Sequence, residues 1–386
     1  MKYLQIINLQ YNRNTPSGKY IVNFALLLIV LLSATNHLSG QGLSDSTRGT
    51  YGLELKSTYG FVIAHRPVLE ILQERHTYGI ELSYLTPADG SKSFHKKFLY
   101  PDVGWTLAWF NLGNPKRLGS GIAVYPFVNF PLQLKEDWRL HFRYGIGLGY
   151  IEKIFDVRSN TKNAAIGTHI NGVMHFDLHI EKIIGTRSLI EFGAGITHYS
   201  NGSTGIPNLG INVATANLGL IHYFGDSRAI RKATEEEIKE KAHFQLFFAG
   251  AFKKIYPPEG KMYYAGTFSG CYVNPIKNKS SWGIGLDLFY DNSLIERLER
   301  ENKTNISTGD NFRPGIFGSY ELRLGHVGML FNMGIYPYTK WKGDGNFYHR
   351  IGSRYYFNKL FLLMNLKTHY AKADFIEWGI GYSFKN

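Results

Sequence analysis

Residues 190–224 read IEFGAGITHYSNGSTGIPNLGINVATANLGLIHYF, two alternating runs around a loop rich in Gly, Ser, Asn and Pro. That is the pattern of a strand, a turn region and a returning strand. In the first run Ile190, Phe192, Ala194 and Ile196 fall on one face, because side chains two residues apart share a side of a strand. The same count puts His198 and Ser200 on that apolar face, with Tyr199 and Asn201 on the other. In the returning run Asn212, Ala214, Ala216, Leu218, Leu220 and Phe224 form one face, interrupted by His222. Asn212 therefore shares the side of His198 and Ser200. In a soluble protein that side would be the core and the pair merely two satisfied polar groups. In a membrane barrel it meets lipid, where unpaired polar groups are costly, and a hydroxyl beside an imidazole then suggests work on a lipid.

Composition favours the barrel. The 386-residue chain has 42 Gly, 26 Tyr and 26 Phe, and this mixture at strand spacing is the composition of a membrane barrel. Its single cysteine, Cys271, cannot form an intrachain disulfide. The only long apolar run is Ile21 to Ala34, whose 14 residues fall short of the roughly 20 that a helix needs to span a bilayer. With Lys19 before it and small, polar residues after it, the run matches the core of an export signal, and residues 1–41 are expected to be a signal peptide. The net charge of +13 suits anionic lipid phosphates and, in an exported chain, argues against nucleic acid.

From residue 51 onward the chain breaks into alternating runs at 51–65, 76–87, 101–113, 118–132, 138–152, 164–182, 187–201 and 212–224. The charged stretch Ser227 to Ala242 reads as a periplasmic helix or linker, and runs resume at 243–256, 261–275, 281–291, 311–325, 327–338, 347–357, 360–371 and 374–384. The expected fold is an all-β antiparallel transmembrane barrel of about 12–16 strands, one wide barrel being preferred over the alternative of two successive eight-stranded ones. The expected division is a signal at 1–41, a barrel segment at 42–225, a linker at 226–242 and further strands at 243–386. If the first strand rises from the periplasm, His198 and Ser200 lie near the outer end of the seventh.

In the clearest run, Trp138, Leu140, Phe142, Tyr144, Ile146, Leu148 and Tyr150 face outward, while Arg139, His141 and Arg143 face inward. In the next, Ile166, Ile170 and Met174 face outward, and His169, Asn171, His175, Asp177 and His179 inward. Such a cluster contains metal-ligating types, but a polar lumen accounts for it, and no metal or cofactor is expected. The last run, with Ile376, Trp378, Ile380, Tyr382 and Phe384 on one face, resembles the terminal signal read by the outer-membrane barrel-assembly machinery. An echo of THYS at 197–200 occurs as THYA at 368–371, but Ala371 replaces the serine and His369 falls on the inward face, so no second site is expected there.

The motif His198-x-Ser200-Asn201, a Pro-Asn pair ending at Asn208 and a Gly-Ile pair before the next strand resemble the lipid A 3-O-deacylases of bacterial outer membranes, the PagL family. The resemblance covers roughly residues 50–225 and is specific at 198–212. It implies an outer-membrane enzyme that hydrolyses an ester-linked acyl chain of lipid A in lipopolysaccharide. It further implies Ser200 as nucleophile, His198 as its general base and Asn201 and Asn208 around the oxyanion. The chemistry of the pair agrees, since a serine hydroxyl needs a base to take its proton and a neutral imidazole suits that role near pH 7. Asn212 stands where the family carries the glutamate that orients the histidine. Two other readings compete: a passive pore lined by Arg139, Arg143 and the inward histidines, or a glycolipid-binding barrel using loop 292–311.

Overall fold

The computed structural model describes residues 50–135, 138–225, 241–276, 279–370 and 372–385. The expected signal at 1–41 and nearly all of the linker lie outside the described residues. The first eight strands are β1 (Tyr51–Val62), β2 (Thr77–Pro87), β3 (Asp102–Asn111), β4 (Ser120–Leu134), β5 (Trp138–Ile151), β6 (Ile170–Ile183), β7 (Ser188–Ser200) and β8 (Ile211–Phe224). The second eight are β9 (His243–Lys254), β10 (Met262–Ile276), β11 (Ser280–Asp291), β12 (Phe312–Leu324), β13 (Val327–Ile335), β14 (Phe347–Phe357), β15 (Leu360–His369) and β16 (Lys372–Ser383).

These sixteen strands close as two eight-stranded antiparallel barrels, β1–β8 and β9–β16, so the preference for one wide barrel is corrected. The physical reason lies in β8, whose register on β1 runs from Tyr51↔Phe224 to Val62↔Val213. The Thr50 N–H donates to Phe224 O at 2.6 Å, which leaves the edge of β8 no backbone groups to offer to β9. A lipid-exposed strand edge would leave polar backbone unsatisfied, so eight strands that can close do close.

The alternation sorts side chains as expected over most of the wall. Phe192, Ile170 and Leu148 are 64%, 64% and 65% exposed on the outside, whereas Glu191, Asn171 and Arg143 are buried inside. One patch departs from this. Phe142 and Tyr144 are buried although they face outward, because they pack with Phe130 and Phe98 against Leu322 and Leu324 of the second barrel. The two barrels therefore share an apolar side contact where lipid was expected. A second departure is β6, which begins at Ile170 and not at 164. Ile166 is buried, bridged to Asn208, in the connection that packs over the barrel end next to Ser200.

The lumen is filled. Arg143 grips Glu54 through two hydrogen bonds of 2.6 and 2.9 Å, and Lys56 sits 2.7 Å from Glu191, all with side chains fully buried. The second barrel repeats the principle: Lys253 bridges Asp291 and Asp374, Arg350 meets Asp287, and Arg354 meets Glu321. His369 turns inward as expected and pairs with the Tyr336 hydroxyl at 2.8 Å. Charges that neutralise one another across a closed interior leave no route for ions, which disfavours the pore. Purified protein in planar bilayers should give no stepwise conductance. Glu54→Ala, which strands Arg143 without its partner, should lower unfolding stability in denaturant titrations by about 3–5 kcal/mol.

Candidate active site

The register of β7 on β8 places His198 directly opposite Asn212, and that of β6 on β7 places Gly172 opposite Ser200. His198, Ser200 and Asn212 thus come together at one end of the outer wall, as their shared parity requires. The His198 Nδ1–H donates to Asn212 Oδ1 at 2.7 Å, and that bond fixes the tautomer: Nε2 is left without a proton.

A further residue holds this arrangement. The Asn212 amide donates from Nδ2 to His65 Nδ1 at 3.0 Å, and His65 Nε2–H donates to the carbonyl of Leu209 at 3.0 Å. An amide has two nearly isosteric ends, so an asparagine can present either one to an imidazole. The Leu209 contact is the shorter of the two that His65 makes to carbonyls, Nδ1 lying 3.4 Å from Ile63 O. The proton therefore sits on Nε2, and the bare Nδ1 accepts from the NH₂ end of Asn212, which directs the oxygen toward His198. Burial pushes the pKa of His65 down, away from the charged form that would place a second donor against the Asn212 NH₂. Sequence reasoning missed His65. It continues the outward parity of β1, but it joins the site only through the β1–β8 seam, which the alternation alone does not reveal.

Ser200 is held apart from His198. No hydrogen bond joins the two among the described residues. The Ser200 Oγ instead accepts from Asn208 Nδ2 at 3.1 Å and lies 3.4 Å from the Gly202 N–H. Two steps along a strand cover about 6.6 Å, a span that an imidazole leaning along the strand bridges once the hydroxyl turns from Asn208. Such contacts are commonly loose in the absence of substrate. Asn208 Oδ1 also accepts the Asn201 N–H at 3.0 Å. Asn208 therefore ties Ser200 to the loop behind it. The Asn201 amide, expected near the oxyanion, donates instead to Thr168 Oγ1 at 2.9 Å and anchors the loop to the 152–169 connection. The amide donors facing Ser200 are therefore Asn208 and the backbone of Gly202.

Among the described residues one group could hold a metal ion. His141, His179 and Glu181 bring donor atoms within 4.8 Å of one another, inside the lumen and toward the opposite end of the barrel from Ser200. Those atoms already engage one another and their neighbours: His141 lies 2.9 Å from Glu181, and His179 lies 2.5 Å from Asp177.

Residues 78–220 match the family model for Lipid A 3-O-deacylase (PagL), and residues 242–386 match that for Acyloxyacyl hydrolase, C-terminal domain. The first barrel belongs to the PagL family. The matched region contains His198, Ser200, Asn201, Asn208 and Asn212 but begins after His65. Among solved structures, the outer membrane enzyme PagL aligns at 14% identity and a TM-score of 0.31, over 44% of this chain and 99% of its own. CdiB from Acinetobacter baumannii aligns at 9% and 0.18 over 89% of this chain and 61% of its own. A Rhodopseudomonas blastica porin aligns at 7% and 0.17 over 86% of this chain and 99% of its own. No curated protein sequence matches the chain.

Nitrogen NMR of histidine-labelled protein at pH 7 should find His198 protonated at Nδ1 and His65 at Nε2, with Asn212→Ala erasing the preference at His198. The unfolded chain takes up a proton at the ordinary imidazole pKa, whereas the folded site resists it. The stability His65 contributes should therefore be complete above about pH 6.5 and decline as pH falls below it, as denaturant titrations at pH 7 and pH 5 would read.

Proposed function

We propose that this chain is an outer-membrane esterase that hydrolyses an ester-linked acyl chain of lipid A or a related glycolipid. The observation that carries the reading is the hydrogen-bonded series Leu209 O, His65, Asn212, His198, which ends in a bare imidazole nitrogen on the same outward face as Ser200. In this reading Ser200 Oγ leaves Asn208 and attacks the ester carbonyl while His198 Nε2 takes its proton. Asn208 Nδ2 and the Gly202 N–H donate to the oxygen that becomes negative, where each fixed donor can contribute on the order of 3 kcal/mol. The imidazolium then returns its proton to the departing sugar oxygen. Water, deprotonated by the same nitrogen, releases the fatty acid from the acyl-enzyme.

Replacing the acid of a serine triad by its amide has cost about 10⁴ in turnover by admitting the wrong tautomer. His65 answers that difficulty in this site, since it dictates which end of the Asn212 amide meets His198. What an amide does not supply is the charge that would stabilise the imidazolium, and turnover should be modest for that reason. Family membership supports lipid A as substrate, and the excess of basic residues suits its phosphates. The aromatic alternation of β16 supports insertion by the barrel-assembly machinery after export.

The test is mass spectrometry of lipid A incubated with the purified protein. Wild type should release one ester-linked chain, Ser200→Ala should slow the release by at least about 10³-fold, and His65→Ala should slow it by about tenfold or more. Equal acyl content after incubation with wild type and with Ser200→Ala would end the esterase reading.

A further inference from the structure

The second barrel reaches the site. Ser203 Oγ donates to the carbonyl of Ala373 at 3.2 Å, and the Lys254 N–H donates to Ser203 O at 2.7 Å, so the loop after Ser200 is stitched to the ends of β16 and β9. Next to Ser203, Gly202 adopts a φ of +59°, and a Cβ added there would fall 2.3 Å from Cγ1 of Ile376. Glycine is therefore required at 202 twice over, for the backbone angle and for the isoleucine seated against it. The same side chain extends over the neighbouring rung: a Cβ on Gly172, the cross-strand partner of Ser200, would lie 3.8 Å from Ile376 Cδ1. Ile376 faces outward on β16 yet is largely covered, whereas Trp378 and Ile380 on the same face are 63% and 52% exposed.

We infer that Ile376 of the second barrel is a positioning residue for the esterase site of the first. It fixes Gly202 so that its N–H stays aimed beside Ser200 Oγ, and it walls off the β6 side of the nucleophile. The opposite side stays open. Phe61 and Tyr59 on β1, which pair with Ala214 and Ala216 of β8 next to Asn212, are 49% and 58% exposed, and the acyl chain of the substrate lies along them. A single barrel would leave the serine approachable from both sides and its loop unbraced; the second supplies the brace and the wall.

This rests on the esterase reading, so the experiment has one arm that depends on it and one that does not. In full-length protein, Ile376→Ala, Ile376→Val and Trp378→Ala are compared after heat-dependent gel mobility has verified that each is folded. Hydrogen exchange of the segment 200–206 should quicken about tenfold in Ile376→Ala and stay within about twofold of wild type in the other two. On a chromogenic long-chain acyl ester, Ile376→Ala should lose about tenfold in kcat with KM within twofold, and Ile376→Val should recover wild-type turnover. Unchanged exchange in Ile376→Ala, or equal losses in Ile376→Ala and Trp378→Ala, overturns the inference. Absence of turnover in the wild type with the exchange change intact overturns the esterase reading and leaves the brace standing.

Discussion

The seam between β1 and β8 is the constraint on which the molecule depends. A strand edge facing hydrocarbon has no water with which to satisfy its backbone, so the first eight strands must either close or pass their free edge to a ninth. They close, through the run of pairs from Tyr51↔Phe224 to Val62↔Val213. From this follow the separate second barrel, the side contact between the two and the arrival of His65 beside Asn212. Had β8 passed its edge to β9, His65 and Asn212 would sit on different parts of a wider wall and the asparagine would have nothing to fix its orientation.

Closure at eight strands also decides what fills the interior. So narrow a barrel leaves room for side chains and little else. Many of the inward residues are charged, and in that confinement opposite charges pair: Glu54 with Arg143, Lys56 with Glu191, Arg350 with Asp287. These pairs, together with the apolar side chains packed inside the first barrel, fill the interior, and the candidate site is left to the outside. The hydrophobic side contact is the complement of this design, since Phe142 and Tyr144 bury against the second barrel the area that neighbouring aromatics leave to lipid.

At the site, asparagines divide among three tasks. Asn212 orients the imidazole of His198, Asn208 holds the Ser200 hydroxyl, and Asn201 secures the loop through Thr168. The family resemblance set Asn212 beside the histidine but gave Asn201 and Asn208 one shared role, because an amide serves as donor, acceptor or both according to its neighbours. The neighbours that decide, His65 and Thr168, come from other connections.

Read alone, the sequence determined the strands and their faces. The sixteen alternating runs, the outward parity of His198, Ser200 and Asn212 and the inward turn of His369 all follow from a period of two, which is local and survives any arrangement of the sheet. It did not determine which strands pair across long distances. The closure of β8 on β1, the late start of β6 at Ile170, the burial of Phe142 and the seating of Ile376 on Gly202 each join segments distant in the chain. Alternation tells a side chain whether it faces in or out. Whether out means lipid, a second barrel or a histidine partner is set by which other segment arrives there, and only the folded chain brings those segments together.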